Sequence, residues 1–585
     1  MSDRVPSFGK ISVARPAPPV RDRFRIAVFG DFTGRAAHGV IETGAALAAR
    51  RPVLLDVDTI EDVIEGFATT LILPIGKDGA GIEVKLGGLD DLHPDELYDN
   101  VEMFQALSGL RQRLAAGSMA EKATQELQRW GETFGKKVRL PKRSGATAVP
   151  ADRRLSDFQA LIGDTRGRLR QASPVDDLIA RIVGPHVVAA PDPGASAMQA
   201  AVDDALGSAM RLILHHPEFQ AVESQWRSLD LLARSIETDE ALEIVLFDVS
   251  AEEIATDLAA SDDLAESGMF ALLRDAVATG DGSGAGTGGF SALFGLYTFE
   301  DTPPHAELLG RMAKVAAHVD APFFTAISPA FLDQTEGLRH PLASHAWERL
   351  RALPEAAYLG VATPRFMLRR PYGTKSDPIS AFRFEEFTTE AGLSGMLWAN
   401  PVVLIAILLA QTYVNDGAEM SLGSVMALGG IPFHLITDGY GDQVALPCTE
   451  RNLTTAKMES VARRGIMPVL SIKGRDEIRL ASFYALGGRL IAGPWSGPAR
   501  PDALEVARQT PDAGVARPLQ PVITLEVEIP VPEAPEPPPL EEEEPEADGE
   551  VDTSLDDLLA SFGEDDDEDE DGDMDAELAA LLEDL

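Results

Sequence analysis

The stretch LEIVLFDVSAEE, Leu242 to Glu253, decides the fold class. LEIVLF reads as a strand, rich in branched apolar residues. Ser250 then stands three residues before Glu253, the spacing of a capping box that opens a helix. A strand that feeds directly into a capped helix is the repeating unit of an α/β layer. The pattern continues on both sides. Helical segments around Ala197 to Leu212 and Phe219 to Ser235 precede it. FSALFGLYTF, PFFTAI (followed by a second candidate cap at Ser328), YLGVA (Tyr358 to Ala362) and MPVLSI (Met467 to Ile472) follow as strands, with HAELLGRMAKVAAHV as an intervening helix. Strands separated by helices predict a mostly parallel sheet over residues 176–497.

The N-terminal part has a different rhythm. After a Pro-rich lead (1–20), FRIAVF at Phe24 to Phe29 reads as a buried strand and GDFTGR (Gly30 to Arg35) as a turn. VLLDV at Val53 to Val57 is a second strand, and TLILPI and GIEVKL form a hairpin around KDGAG. From His93 onward one helix would bring Val101, Phe104, Leu107, Leu110 and Leu114 onto one face. Strand, strand, hairpin, helix makes a small α+β domain over 21–135. The fold class is therefore α/β and α+β: a small N-terminal domain joined to a larger α/β domain, with a disordered acidic C-terminal tail. Residues 136–175 are basic with Pro and Gly, and read as a linker carrying one helix, LSDFQALI. GDGSGAGTGG (280–289) is a surface loop. Residues 498–540 form a Pro-rich spacer with one candidate strand, VITLEVEI, before the tail at 541–585.

Charge narrows the function classes. The 585 residues carry a net charge of −43, and 23 acidic residues without one Lys or Arg fall in 541–585. The first 540 residues hold the remaining −20. Neither a general nucleic-acid binder nor an anionic-membrane binder is built this way, because both need a basic face. The tail is expected to stay extended and solvated. Leu555, Leu558, Leu559 and Phe562, then Leu578, Leu581 and Leu582, would line short helical stripes in it, and the pattern leaves open whether they dock or merely punctuate a solubilising segment. The lone Cys448 excludes an internal disulfide. MSDRVPSFGK has no apolar core of a signal peptide, and Val402 to Ala410 falls short of the ~20 residues that cross a bilayer, so a cytoplasmic protein without membrane insertion is expected.

The search for chemistry yields structure instead. GDFTGR follows a strand, but it lacks both the Gly-Lys-Ser/Thr ending of a phosphate loop and the three spaced glycines of a dinucleotide fingerprint. GTKS at Gly373 to Ser376 has no strand leading into it. His215 and His216 are adjacent, and His340 and His345 lack an accompanying carboxylate in any known ligand order, so ordinary hydrogen-bonded histidines are expected. Arg365, Arg369 and Arg370 crowd beside aromatics, with Glu385 and Glu386 following. An anion site would use such arginines, but guanidinium forks paired with carboxylates in a core or subunit contact suit the pattern better. No catalytic centre, metal site or cofactor is expected.

Taken in order, the segments resemble the contractile-sheath proteins of the bacterial type VI secretion system. The strand with GDFTGR, LLDVDTIEDVI and LDDLHPDELYDNVEMFQALSGLRQRL are similar to the small sheath subunit (TssB or VipA). LHHPEFQAVESQWRSLDLL, HAELLGRMAKVAAHVDAPFFTAISP, WERLRALPEAAYLGVATPRFMLRRPYGTKSDPISAFRFEEF and IPFHLITDGYGDQVALPCTE are similar to the large one (TssC or VipB). The resemblance implies a fusion of the two, acting as a structural subunit with no enzymatic activity. It implies assembly with itself or other sheath subunits, an inner-tube protein and the baseplate, and recycling by the AAA+ unfoldase ClpV through the helix at Leu155 to Ile162 or the one beginning at Asp176. Gly30, Asp31, Gly34 and Arg35, with the Arg365, Arg369, Arg370, Glu385 and Glu386 group, are the assembly or structural candidates. The usual C-terminal strands of the large subunit are replaced by the spacer and tail. That departure suggests an alternative, an accessory adaptor that caps or regulates a sheath through its tail.

Overall fold

FRIAVFG folds as β1 (Phe24–Gly30), and its alternating side chains divide between two cores. Phe24, Ile26 and Val28 enter one, Ala27 and Phe29 the other, none more than 3% exposed. A strand buried on both faces belongs in the middle of a sheet, and that is where β1 lies. The computed structural model describes residues 6–15, 21, 23–75, 81–115, 129, 193–278, 289–332, 339–389, 391–437 and 443–499, all in one compact unit.

Along the N-terminal segment, β1 is followed by α1 (Ala45–Ala48), β2 (Val53–Leu55), α2 (Ile60–Phe67) and the hairpin β3 (Thr70–Leu73) with β4 (Ile82–Lys85). The expected single helix from His93 is two: α3 (Pro94–Asn100) and α4 (Glu102–Ala115), broken at Val101, whose backbone is extended (φ −89°, ψ 122°). A β-branched valine loses little by leaving the helix, and the bend lets Leu97, Val101 and Phe104 all reach the core. The linker helix, the glycine loop at 280–288, the side chains of Leu110 and Leu114, VITLEVEI and the whole tail, with Leu555, Leu558, Leu559 and Phe562, lie outside the described residues.

The central segment supplies α5 (Pro193–Leu214), α6 (Pro217–Ser235), β5 (Leu242–Asp248), α7 (Ala251–Ala259), α8 (Gly268–Ala278), β6 (Ala292–Phe299), α9 (Pro303–Val319), β7 (Phe323–Ile327), α10 (Pro341–Arg351) and β8 (Leu359–Thr363). Then come β9 (Phe366–Met367), β10 (Trp398–Ala399), α11 (Val402–Asp416), β11 (Ala427–Gly429), the hairpin β12 (Leu435–Thr437) with β13 (Gln443–Ala445), α12 (Thr455–Arg463), β14 (Met467–Ser471) and β15 (Glu477–Leu480). Ser328 opens only a short 3-10 turn, its Oγ accepting weakly from the Ala330 N–H at 3.4 Å.

Nine strands form one sheet in the order β11-β15-β14-β8-β7-β6-β1-β5-β2. From β5 through β14 it is parallel, with antiparallel strands at both ends. β1 pairs with β5 along its full length, Phe24 opposite Leu242 to Gly30 opposite Asp248, and with β6 from Ile26 opposite Ala292 to Phe29 opposite Gly295. The N-terminal segment thus fills the slot between two strands of the central segment. α5, α6 and α11 cover one face, α7 to α10 the other. Val402 to Ala410, the apolar run of the sequence, is buried all round in α11, with no residue above 2% exposure.

Candidate functional site

One polar cluster joins the N-terminal and central segments at their seam, and a second is built within the central segment. The first sits where β1 and β5 end. Gly30 closes β1, and a Cβ there would lie 2.5 Å from Gln225 Oε1 and 2.7 Å from the Phe32 ring, so only glycine fits. The turn that follows folds on its own aspartate: Asp31 accepts from the N–H groups of Arg35 (2.5 Å) and Ala36 (3.0 Å), with Gly34 in the left-handed region at φ +71°. Asp248, the last residue of β5, accepts from Phe32 N–H (2.9 Å) and from Thr33 Oγ (2.7 Å).

Arg35 and Arg50 then converge on Glu253. Arg35 Nη2 lies 3.1 Å and Arg50 Nη2 3.0 Å from Glu253 Oε1, and both also reach Glu42 Oε2 at 2.7 Å. The N–H of Glu42 donates to Glu253 as well, at 3.0 Å. The capping box that opens α7 is present, Ser250 Oγ accepting from Glu253 N–H and Glu253 accepting from Ser250 N–H. Glu253 is fully buried, and burial pushes its carboxyl up, but hydrogen bonds from Arg50, the Ser250 N–H, Arg35 and the Glu42 N–H outweigh that and hold it below the usual range. Asp31 and Asp248 go the other way, raised by burial.

A contrast between two variants separates these roles. Ser250→Ala removes only the cap and is expected to cost ~1 kcal/mol. Glu253→Ala also removes the buried carboxylate shared by Arg35 and Arg50, leaving them the half-exposed Glu42, and is expected to cost ~3 kcal/mol. Urea unfolding measures both, and equal costs would show that the arginines contribute nothing through Glu253.

The second cluster is buried under the α6 face. Arg369 forks two carboxylates: Nε to Glu223 Oε1 (2.8 Å) and Nη2 to Glu223 Oε2 (3.2 Å), with Nη1 to Glu386 Oε2 (2.7 Å) and Nη2 to Glu386 Oε1 (3.0 Å). Arg227, one turn along α6 from Glu223, adds a 2.7 Å bond to it and donates to the Tyr372 hydroxyl at 3.1 Å. The Arg369 guanidinium lies 4.2 Å from the Tyr372 ring centre, and Tyr372 N–H donates to Glu386. Two cations and two anions balance. Burial pushes Glu223 up, but Arg369 and then Arg227 overcome it and hold it below the usual range. The Tyr372 phenol, desolvated, is pushed up to about 12.

Of the candidates read from the sequence, the structure joins Arg369 with Glu386 and ties Asp31 and Arg35 into the seam. Arg365 instead pairs with Glu450 (Nη2 to Oε2, 2.6 Å), and the Arg370 guanidinium lies 5.7 Å from the Phe433 ring centre. Glu385 binds Thr374 through its carboxylate and Arg211 through its carbonyl oxygen. Sequence reasoning missed Glu223, Arg227, Glu450, Arg50 and Glu42. The four-residue spacing of Glu223 and Arg227 on a helical face was the one available signal.

Further contacts stitch the same seam. Asp95 on α3 accepts from the N–H groups of Ser380 (3.0 Å) and Ala381 (2.8 Å), Arg25 pairs with Glu243 at 2.8 Å, and Phe32 and Phe67 pack on Trp226. This geometry has the character of a subunit interface held inside one polypeptide. Among the described residues no group of three His, Cys, Asp or Glu is placed to hold a metal ion.

Comparison with known proteins matches both segments. Residues 23–129 match the VipA family of the type VI secretion system, and residues 196–486 match the tail sheath N-terminal domain of the VipB (EvpB) family. The type VI secretion system sheath protein TssC1 of Pseudomonas aeruginosa is 33% identical over 295 residues, covering 47% of this chain and 58% of that relative's own length.

Proposed function

As a chain that belongs to the type VI secretion sheath families and carries their VipA and VipB segments in one polypeptide, this protein is, we propose, a structural subunit of a contractile sheath. The observation that carries the reading is β1: the VipA-type segment supplies the strand between β5 and β6 of the VipB-type segment, so the two families meet as one sheet. Joining them covalently keeps each half at high effective concentration for the other.

Both matched families are structural, and the reading assigns the chain no reaction. Its partners are further sheath subunits, an inner tube around which they stack, a baseplate from which the stack grows, and an AAA+ unfoldase that takes spent subunits apart. Among the described residues no helix is long and apolar enough to cross a membrane, and we place the assembly in the cytoplasm.

Negative-stain microscopy of the purified protein, alone and with an inner-tube protein, tests this. Rings or tubes are expected. Copies carrying −43 each repel one another, and the Debye length falls from about 10 Å at 0.1 M salt to about 3 Å at 1 M, so assembly is expected to rise with ionic strength. Removing 541–585 should shift that onset to lower salt. Monodisperse monomer at every salt concentration, with or without the tube protein, would overturn the reading.

A further inference from the structure

We propose that the crevice outside the carboxyl ends of β1 and β6 binds a neutral polyhydroxylated ring, either a free monosaccharide or the ribose of a nucleoside. The topology places it. From β1 the parallel strands run one way to β5, and from β6 they run the other way to β7 and β8, so the sheet reverses direction between β1 and β6. Open α/β sheets take their ligands at the carboxyl ends of strands at such a reversal. A cavity of about 300 Å³ lies there, between the α6 face and the end of β6. That is the lower end of the range for ligand pockets and suits a single ring.

The lining sets the ligand's chemistry. Ser228 is 1% exposed, yet its Oγ makes no hydrogen bond with the protein, and Gln225 Oε1 makes none either. The two stand three residues apart on one helical face, close enough to serve one ring. Two further polar lining residues are committed, Ser224 Oγ to Trp398 O and Asn400 to Tyr297 O and Val402 N–H, while Gln220 and Thr298 add polar side chains to the wall. A buried hydroxyl without a partner costs about 1–3 kcal/mol, which a ligand hydroxyl would relieve. Buried Trp398, with Met396 and Leu397, offers an apolar wall to the C–H face of a ring.

Charge excludes ions. Arg365 is the one charged lining residue, and its Nε and Nη2 are held by Glu450. Asp31, whose carbonyl accepts from Gln225 Nε2, and Asp248 stand at the same sheet edge and repel phosphate.

The test is saturation-transfer NMR on the full chain with glucose, adenosine, inorganic phosphate and acetate. It is repeated on Ala221→Trp, which plugs the exposed mouth, and on Ser228→Val, which removes the hydroxyl. Saturable binding of glucose or adenosine is expected, weakened about tenfold or more by either variant. Binding of glucose alone assigns a monosaccharide, and binding of adenosine alone a nucleoside. The proposal is overturned if neither binds saturably, if binding survives in Ala221→Trp, or if phosphate or acetate binds as tightly. Ala221 is exposed, so its variant reports even if Ser228→Val fails to fold. Monomer and assembly should bind alike, so the outcome does not turn on the sheath reading.

Discussion

Arg369→Leu is expected to cost about 3–5 kcal/mol of stability, because it leaves two buried carboxylates, Glu223 and Glu386, with Arg227 on Glu223 as the remaining guanidinium. A buried ion pair adds little net stability when compared with apolar residues of the same shape. Breaking one is different, since the surviving charge stays desolvated. The same reasoning gives a contrast: Arg369→Leu combined with Glu223→Leu restores the charge balance and should recover part of the loss.

The pH dependence follows from the depressed carboxyl of Glu223. Its folded pKa lies below its unfolded one, so its contribution is complete above the unfolded value, ~4.3, and fades as pH falls through the folded value. In Arg369→Leu the larger part of that contribution is lost, with Arg227 supplying what remains. The deficit of the variant should therefore be largest near neutral pH and shrink in acid. Urea titrations at neutral pH and near pH 3 read it. A deficit that stays constant with pH would mean that Arg369 acts through packing on Tyr372 rather than through its charge.

What the sequence revealed was local. The apolar runs FRIAVF and LEIVLF, the Ser250–Glu253 spacing and the hairpin around KDGAG each follow from a few neighbouring residues, and each matches an element. The strand order was not legible, because nothing in FRIAVF says which strands 200 residues away will flank it. Nor was the choice between Glu385 and Glu386. Adjacent side chains on an extended segment point opposite ways, so one of the two had to face Arg369, but the register is fixed by the Glu386 N–H bonding to Tyr372 O, a long-range fact. The break at Val101 was hidden because the apolar spacing runs unchanged through both helices while the axis turns. Glu253 shows the limit from the other side: the capping box was visible, yet its service as counter-ion to Arg35 and Arg50 depends on a turn that the chain laid down over 200 residues earlier.

Cutting the chain between residues 136 and 175 should leave the two halves bound to each other. A protease site placed there, cleaved in the intact protein, is expected to give one gel-filtration peak containing both fragments until urea unfolds it. The reason is the position of β1. Phe24, Ile26, Val28 and Phe29 are each at most 3% exposed, and full burial of such side chains is worth about 1.5–3 kcal/mol apiece, so these four alone supply about 6–12 kcal/mol as an upper estimate. A micromolar dissociation constant needs about 8 kcal/mol, and the Arg35, Arg50, Asp95 and Trp226 contacts add to the same seam. The complementary experiment is harsher. Without residues 1–135, β5 loses both of its neighbours, β1 and β2, and β6 becomes a bare edge of the remaining sheet, each exposing unpaired N–H and C=O groups, so the central segment is expected to aggregate. Supplying 1–135 as a separate chain should restore soluble protein that purifies as a pair. Fragments that part in native buffer, or a central segment that is soluble and monomeric alone, would show that the sheet does not need its inserted strand and that the covalent connection is what holds the halves together.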